Sequence, residues 1–388
     1  MITPQLRFPE FEGEWDKRKF NEIFNFSTGK SIKQNEASPK FKIPCVRYGE
    51  LYHMYDEVIT EVVNKTNLDE SELLFSDGNE ILLPSAGEDP MDIGSASALT
   101  VKNVAIGRTI NILKPAKENV YSHIFASYFI NHRLKKDISK LAKGVSISNV
   151  YNSDLKTLEL TLPNLQEQIK IAGFLKSVDE KIQDLEKKKN LLEQYKKGVM
   201  QKLFSQKMRF KDENGTEFPE WSIKKGGDCL DYEQPTNYLV SSTEYSDKHN
   251  TPVVTAGKTF ILGYTEETSG IFSNGLPVII FDDFTTASQF VDFPFKAKSS
   301  AMKILKAKEE IDIKFMYEAL QMINYETGAH GRHWISVFSE MEILIPHYKE
   351  QIKISSFLSA IDRKIRSVNS LWLQTKIWKR GLLQKMFC

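Results

Sequence analysis

The amino-acid sequence predicts an α+β protein built twice: two similar globular units separated by two long antiparallel coiled-coil helices, with an internal pseudo-two-fold repeat. Three observations predict it. The stretch 163–204 returns without a gap as 346–387, an apolar seam runs through both copies, and the segments ahead of them share one order of strand and helix signals.

The repeat is legible residue by residue. Glu167-Gln168-Ile169-Lys170-Ile171 matches Glu350-Gln351-Ile352-Lys353-Ile354, and Val178-Asp179-Glu180-Lys181-Ile182 matches Ile361-Asp362-Arg363-Lys364-Ile365. Gln201-Lys202-Leu203-Phe204 matches Gln384-Lys385-Met386-Phe387. A fainter echo heads each half: Leu6-Arg7-Phe8 with Glu14-Trp15, then Met208-Arg209-Phe210 with Glu220-Trp221. Two long units in tandem do not make a solenoid, which needs several short stacked repeats. They make a pseudo-dimer in one chain, suited to a ligand with two halves of its own.

Each copy reads as a helix with a seam. In the first, Ile171, Leu175, Val178, Ile182, Leu185, Leu192, Val199 and Leu203 recur at heptad spacings. In the second, Ile354, Leu358, Ile361, Ile365, Val368, Trp372, Leu382 and Met386 do the same. This is the a/d stripe of a coiled coil. Lys189, Lys196 and Lys379 interrupt it at a positions, which costs stability but helps fix register. Each helix would run roughly 39 residues, about 58 Å, with Pro163 or Pro346 just ahead, where proline is tolerated. A long amphipathic helix lying on a globular domain is the alternative. Under a pseudo-two-fold relation the two helices run antiparallel and form a spacer, with Leu185 and Val368 near their middles. The expected boundaries are 1–164 for the first globular unit, 165–205 for the central helix, 206–345 for the second unit and 346–388 for the distal helix.

The globular segments agree in pattern rather than in sequence. Each has a buried-strand signal after a glycine (Ile81-Leu82-Leu83, Val278-Ile279-Ile280) and a strand ending Leu113-Lys114 or Leu305-Lys306. A helix pattern follows at 121–132 or 313–324, then a glycine-containing polar loop, then an alternating strand at 158–162 or 341–345.

Composition narrows the class. With 388 residues, 41% hydrophobic and 27% charged, the chain is globular, with room for two or three domains. No apolar run approaches the ~20 residues that span a bilayer, and the N-terminus lacks a signal-peptide pattern. The expected location is the cytoplasm, with Cys45, Cys229 and Cys388 reduced and in no metal-ligand spacing. Catalytic motifs are missing: there is no Gly-x-Gly, no P-loop, no Pro-Pro and no His-Glu-x-x-His. Asp282-Asp283 follows a strand and reads as a strand-end turn rather than a metal site. The net charge of +1 suits a lone DNA binder poorly, because phosphate neutralisation supplies much of the affinity. Either nucleic acid is not the ligand, or partners supply positive surface.

Polar loops are the remaining candidates. In the first unit they hold Lys30, Lys33, Arg47, Tyr48, Ser85, Lys143, Ser146 and Asn149; in the second, Lys258, Thr259, Asn274, Thr285, Arg332, His333 and Trp334. Arg and Lys can address guanine edges, Asn adenine edges, and Ser or Thr phosphates. Taken singly, each reads as ordinary solvated loop. As a set at corresponding places in two units, they form a candidate DNA-binding surface.

The order of these parts resembles the specificity (S) subunit of type I restriction–modification systems. The resemblance spans the chain and is carried by the Glu-Gln-x-Lys-Ile and Gly-x-x-Gln-Lys-x-Phe helices and by the openings Leu6-Arg7-Phe8-Pro9 and Glu217-Phe218-Pro219-Glu220-Trp221. It implies two target-recognition domains, each reading one half of an asymmetric bipartite site in double-stranded DNA. It implies helices that act as a ruler and dock two methyltransferase (M) subunits, with restriction (R) subunits joining the assembly. It implies no catalytic residue, no membrane partner and no cofactor in this chain, with S-adenosylmethionine, ATP and Mg bound by partner subunits. Basic surface on the M subunits would account for the near-neutral charge. The alternative is a coiled-coil scaffold displaying two protein-binding domains.

Overall fold

The structure is a computed structural model that describes residues 3–117, 120–325 and 332–388. The chain divides into two compact units, one of 1–186 with 370–388 and one of 187–369. The central helix runs Leu165–Phe204 and the distal helix Tyr348–Met386, close to the expected bounds. Each helix gives one half to each unit. The reason is packing. Ile171, Leu175 and Val178 of the central helix share an apolar core with Leu382, Leu383 and Met386 of the distal helix and with Phe125 and Leu160 of the first globular segment.

In the first unit, Asp16–Lys19 pairs antiparallel with Glu159–Leu162, so the globular segment is closed by its own ends just before the central helix. A five-stranded sheet has the order Phe24–Thr28, Ile110–Pro115, Glu80–Pro84, Ser97–Leu99, Val58–Ile59. Ile81, Leu82 and Leu83 are all buried at its middle, which is why the sequence shows a continuous apolar run there. A second sheet has the order Ala105–Ile106, Ile43–Val46, Lys65–Thr66, Ala37–Ser38, its first two strands parallel. The helix His123–Phe129 starts at Ser122, whose hydroxyl accepts from the Phe125 N–H.

The second unit repeats the plan. Ser222–Lys225 pairs with Glu342–Ile345. A four-stranded antiparallel sheet has the order Leu230–Glu233, Met302–Ala307, Val278–Asp282, Ser288–Val291. In the three-stranded sheet Ile261–Thr265, Thr251–Val254, Lys296–Ala297, the last two strands are parallel. The helix Ile313–Gln321 is capped by Asp312. Residues 326–331, part of the glycine-containing loop expected before the closing strand, lie outside the described residues.

The repeated Glu-Gln pair has the same two tasks in both units. Gln168 accepts from the Ser122 N–H at 2.9 Å and donates to the Pro163 carbonyl at 2.8 Å. Gln351 does the same with Asp312 at 2.8 Å and Pro346 at 2.9 Å. Each glutamine thus ties the first turn of a long helix to the N-terminus of the shorter helix beside it. Glu167, 0% exposed, accepts from Arg7 at 2.7 and 2.8 Å. Glu350, equally buried, accepts from Arg209 at 2.9 and 3.2 Å. The Leu-Arg-Phe echo and the Glu-Gln motif are therefore two ends of one charge-assisted contact.

The seam is buried at Leu175, Val178, Leu185, Leu358, Ile361 and Val368, and half-buried at Ile182, Leu192, Ile365 and Trp372. Lys379 and Lys196 of the seam each meet two carboxylates. Lys379 lies 2.7 Å from Asp179 and 3.0 Å from Glu57 in the first unit. Lys196 lies 2.7 Å from Asp362 and 3.0 Å from Glu318 in the second. In the repeat Lys196 corresponds to Lys379 and Asp179 to Asp362, so one ion pair is made once in each unit, in the antiparallel sense. Its surroundings differ. Burial works against the Asp362 charge, but Lys196 and Lys314 outweigh it and hold the carboxyl below its usual value. Asp179 has one lysine and a nearby Glu57, so burial prevails and its carboxyl is pushed up. Burial also opposes the Lys379 charge, yet Glu57 and Asp179 together hold its ammonium above the usual value.

Two outcomes follow. Arg7→Ala and Arg209→Ala each leave a buried carboxylate without its cation, and each is expected to cost roughly 3–5 kcal/mol. Urea unfolding checks this, and unchanged midpoints in both variants would remove the clamp. In a carboxyl-carbon NMR titration, Asp362 is expected to protonate below, and Asp179 above, an ordinary aspartate. The stability from Asp362 is present above its unfolded pKa and lost as pH falls through its folded one; the Asp179 charge costs stability as pH rises through its raised value. The reverse order of titration would refute the assigned surroundings.

Candidate nucleic-acid interface

In the first unit the parallel strands Ile43–Val46 and Ala105–Ile106 end side by side, Val46 opposite Ile106. The loops that leave them carry Arg47-Tyr48 and Gly107-Arg108. The backbone knits these loops to residues 30–33: Lys30 N–H donates to the Ile106 carbonyl at 2.9 Å, Gly107 N–H to Val46 at 2.8 Å and Arg108 N–H to Ser31 at 3.1 Å. Ser31, Ile32 and Thr109 adopt positive φ angles (53°, 46° and 68°) to make the turns. The result is a concavity of about 570 Å³ lined by Lys33, Arg47, Tyr48, Tyr52, His53, Glu88 and Arg108, among others. An adjoining hollow shares Tyr48, Tyr52, His53 and Glu88 and adds Gly87 and Ile147. The four polar loops read from the sequence, 30–33, 47–48, 85–88 and 143–149, therefore meet on one surface.

Its members differ in freedom. Lys30 and Lys33 are exposed, and the Lys30 ammonium lies 3.5 Å from the Ser71 carbonyl. Arg47 is committed: its Nε lies 2.6 Å from Glu50 and its Nη1 donates to the Gln34 carbonyl at 3.2 Å. Tyr48 is exposed. Ser85 is half-buried, its N–H on the Thr109 carbonyl. Lys143 pairs with Asp154 at 2.7 Å. Ser146 is exposed, and Asn149 sits in a short strand paired with Ala86–Gly87. Arg108, Tyr52 and His53 escaped the sequence reading because they form no motif. The available signal for Arg108 was its position two residues after the apolar run Val104-Ala105-Ile106.

In the second unit the parallel strands Thr251–Val254 and Lys296–Ala297 hold the same topological place. The loop after the first exposes Lys258 and Thr259. The loop after the second begins with Lys298, whose ammonium lies 5.7 Å from the centre of the Tyr245 ring. Asn274 is exposed beside Gly275, which has a φ of 80°. Thr285 is exposed in a turn where the Asp282 carboxylate accepts from the N–H groups of Phe284 and Thr285. Arg332 is exposed.

His333 and Trp334 are corrected. Trp334 is 1% exposed and packs on Phe281, ring centres 5.4 Å apart, while its backbone N–H donates to the Asp283 carboxylate at 2.8 Å. His333 is 6% exposed, its Nδ1 3.3 Å from the Tyr325 hydroxyl. A π-helical turn, Trp334–Phe338, folds this dipeptide into the core instead of leaving it on the loop. The same contacts explain Asp282-Asp283: the first residue holds a turn, and the second receives Trp334 and faces the buried Lys303 at 3.4 Å. Trp334→Ala is expected to cost about 3–5 kcal/mol, and Lys258→Ala no more than ~0.5 kcal/mol. Denaturant unfolding that ranks them the other way would return Trp334 to the surface set.

Comparison with known proteins places this architecture. The family model described as the type I restriction modification DNA specificity domain matches residues 12–194 and 219–371. The specificity subunit of an Escherichia coli type I restriction enzyme is 51% identical over 125 residues, 31% of this chain and 31% of that protein. A Methanocaldococcus jannaschii type I specificity subunit is 26% identical over 219 residues, 53% of this chain and 49% of the relative. These alignments thus span less than two thirds of either relative. A crystal structure of the type I S subunit from Mycoplasma genitalium matches with a TM-score of 0.70 at 18% identity, over 100% of this chain and 99% of that one, which shows the shared fold. With the family matched in both halves, the chain belongs to the type I restriction modification DNA specificity domain family.

Proposed function

We propose that the chain is the sequence-specific DNA-recognition subunit of a type I restriction–modification complex, each unit reading one half of an asymmetric bipartite target. One observation carries this most directly. In each unit, cation-bearing loops leave the ends of a parallel strand pair at the same topological place: Arg47 and Arg108 in the first, Lys258 and Lys298 in the second. One scaffold with two different loop sets suits two different half-sites, because base edges in the major groove present distinct donor and acceptor patterns.

The remaining parts fit the same reading. The helices would serve as the ruler and as the dock for two M subunits, with R subunits joining later. Ile169, Ile377 and Trp378 of the first unit, and Leu191, Tyr195 and Ile352 of the second, expose apolar surface on the helices that a partner would cover. The chain itself would carry out no chemistry: S-adenosylmethionine, ATP and Mg would be held by its partners, in the cytoplasm. Among the described residues no helix is long and apolar enough to cross a membrane. A net charge of +1 makes the isolated chain a weak DNA binder, and assembly with basic partners would raise its affinity.

The test is co-expression with the cognate M subunit, followed by genome-wide mapping of methylated adenines. The expected motif is asymmetric, with two short specified blocks around a fixed unspecified gap. A single-block motif would overturn the two-reader proposal. A stable complex without methylation would favour a scaffold that displays two protein-binding domains.

A further inference from the structure

We infer that Arg108 is the guanine-reading side chain of the first unit, and that Arg47 beside it is a strut. The inference rests on the DNA-reading role proposed above. Both arginines leave the ends of the same parallel strand pair, and both line the same concavity. Their commitments differ. The Arg47 guanidinium is spent on Glu50, whose side chain is 3% exposed and also accepts from Asn64 at 3.0 Å. Turning Arg47 toward a base would leave that carboxylate buried without its cation. Arg108 is exposed, and among the described residues only its backbone N–H is engaged, by the Ser31 carbonyl.

The base beneath Arg108 is rigid. Gly107 donates to Val46, Ser85 donates to the Thr109 carbonyl, and Thr109 is held at positive φ. At Gly29 a Cβ would fall 1.9 Å from the Gly107 carbonyl oxygen, so two chains pass here at a distance only glycine allows. A free guanidinium on a fixed backbone is the arrangement that bidentate recognition of guanine O6 and N7 requires. The neighbouring Glu88 is exposed on the same wall. A carboxylate is unfavourable against phosphate but can accept from cytosine N4, which suits this concavity to base edges rather than backbone. In the second unit the register places Lys298 opposite Gly107, one residue ahead of the Arg108 position, so the loop as a whole again carries a cation though at a neighbouring position.

The experiment maps methylated motifs for Arg108→Ala, Arg108→Gln and wild type, each co-expressed with the M subunit, and measures unfolding midpoints for these and for Arg47→Ala. A wild type without a two-block motif would sink the DNA reading itself, before Arg108 is at issue. Given that motif, Arg108→Ala is expected to relax one guanine position in one half-site by on the order of ten- to hundredfold. The other half-site and the gap stay as they were, which also shows that the chain is folded and assembled. Arg108→Gln is expected to shift preference at that position toward adenine, which glutamine contacts bidentately. Arg47→Ala is expected to lower the unfolding midpoint, an effect Arg108→Ala lacks. An unaltered motif in Arg108→Ala overturns the inference. So does uniform weakening across all sequences with a shallower salt dependence, which marks a phosphate contact. Loss of all methylation in both Arg108 variants at wild-type midpoints overturns it too, because a base reader acts on one half-site only.

Discussion

Two buried carboxylates, Glu167 and Glu350, organise the molecule. Each sits at the first turn of a long helix with no access to water, and each is neutralised by an arginine from the start of its own half, Arg7 or Arg209. A buried charge without such a partner would be far more costly than any single apolar contact could offset. The pairing therefore joins the leading segment to a place 160 residues on in the first half and 141 in the second, the junction where the globular segment ends and the helix begins. The neighbouring glutamines complete the joint by holding the N-terminus of the shorter helix against the same turn. Where each globular segment ends and each helix begins is set by this joint.

The seam shows how one repeated pair diverges. Lys196 and Lys379 make the same reach to an aspartate, but the third group is Glu318 in one unit and Glu57 in the other. At the place of Glu318 in the shorter helix the first unit has Tyr128, whose hydroxyl donates to Asp179. Lys314 adds a second cation only beside Asp362. The geometry is preserved while the charge balance is not, so the two halves are alike in register and unlike in electrostatics.

Much of the fold was readable from the chain because its signals are local. Heptad spacing marked both helices, and continuous apolar runs marked Ile81-Leu82-Leu83 and Val278-Ile279-Ile280. The joint was visible only as motifs, since the arginine and glutamate that meet are far apart in sequence. The candidate site was legible as a set of loops and less so as individual side chains. Arg47 looked like a reader because Glu50 gave no sign that it would be buried, and Trp334 looked exposed because Asp283, which draws it inward, lies 51 residues away in the chain. Arg108 was invisible for the opposite reason: what distinguishes it is the lack of a side-chain partner among the described residues, and no sequence pattern encodes that.

The sharing of helices between units bears on how the protein is made. Leu382, Leu383 and Met386 complete the core of the first unit, while every residue of the second lies between 187 and 369. Domains usually fold in order of synthesis. Here the ribosome must pass residue 386 before the first unit can close, by which time the whole second unit has already been translated. Until then Ile171, Leu175 and Val178 lack the part of their cover that the distal helix brings, and the half that is made first is the half that finishes last.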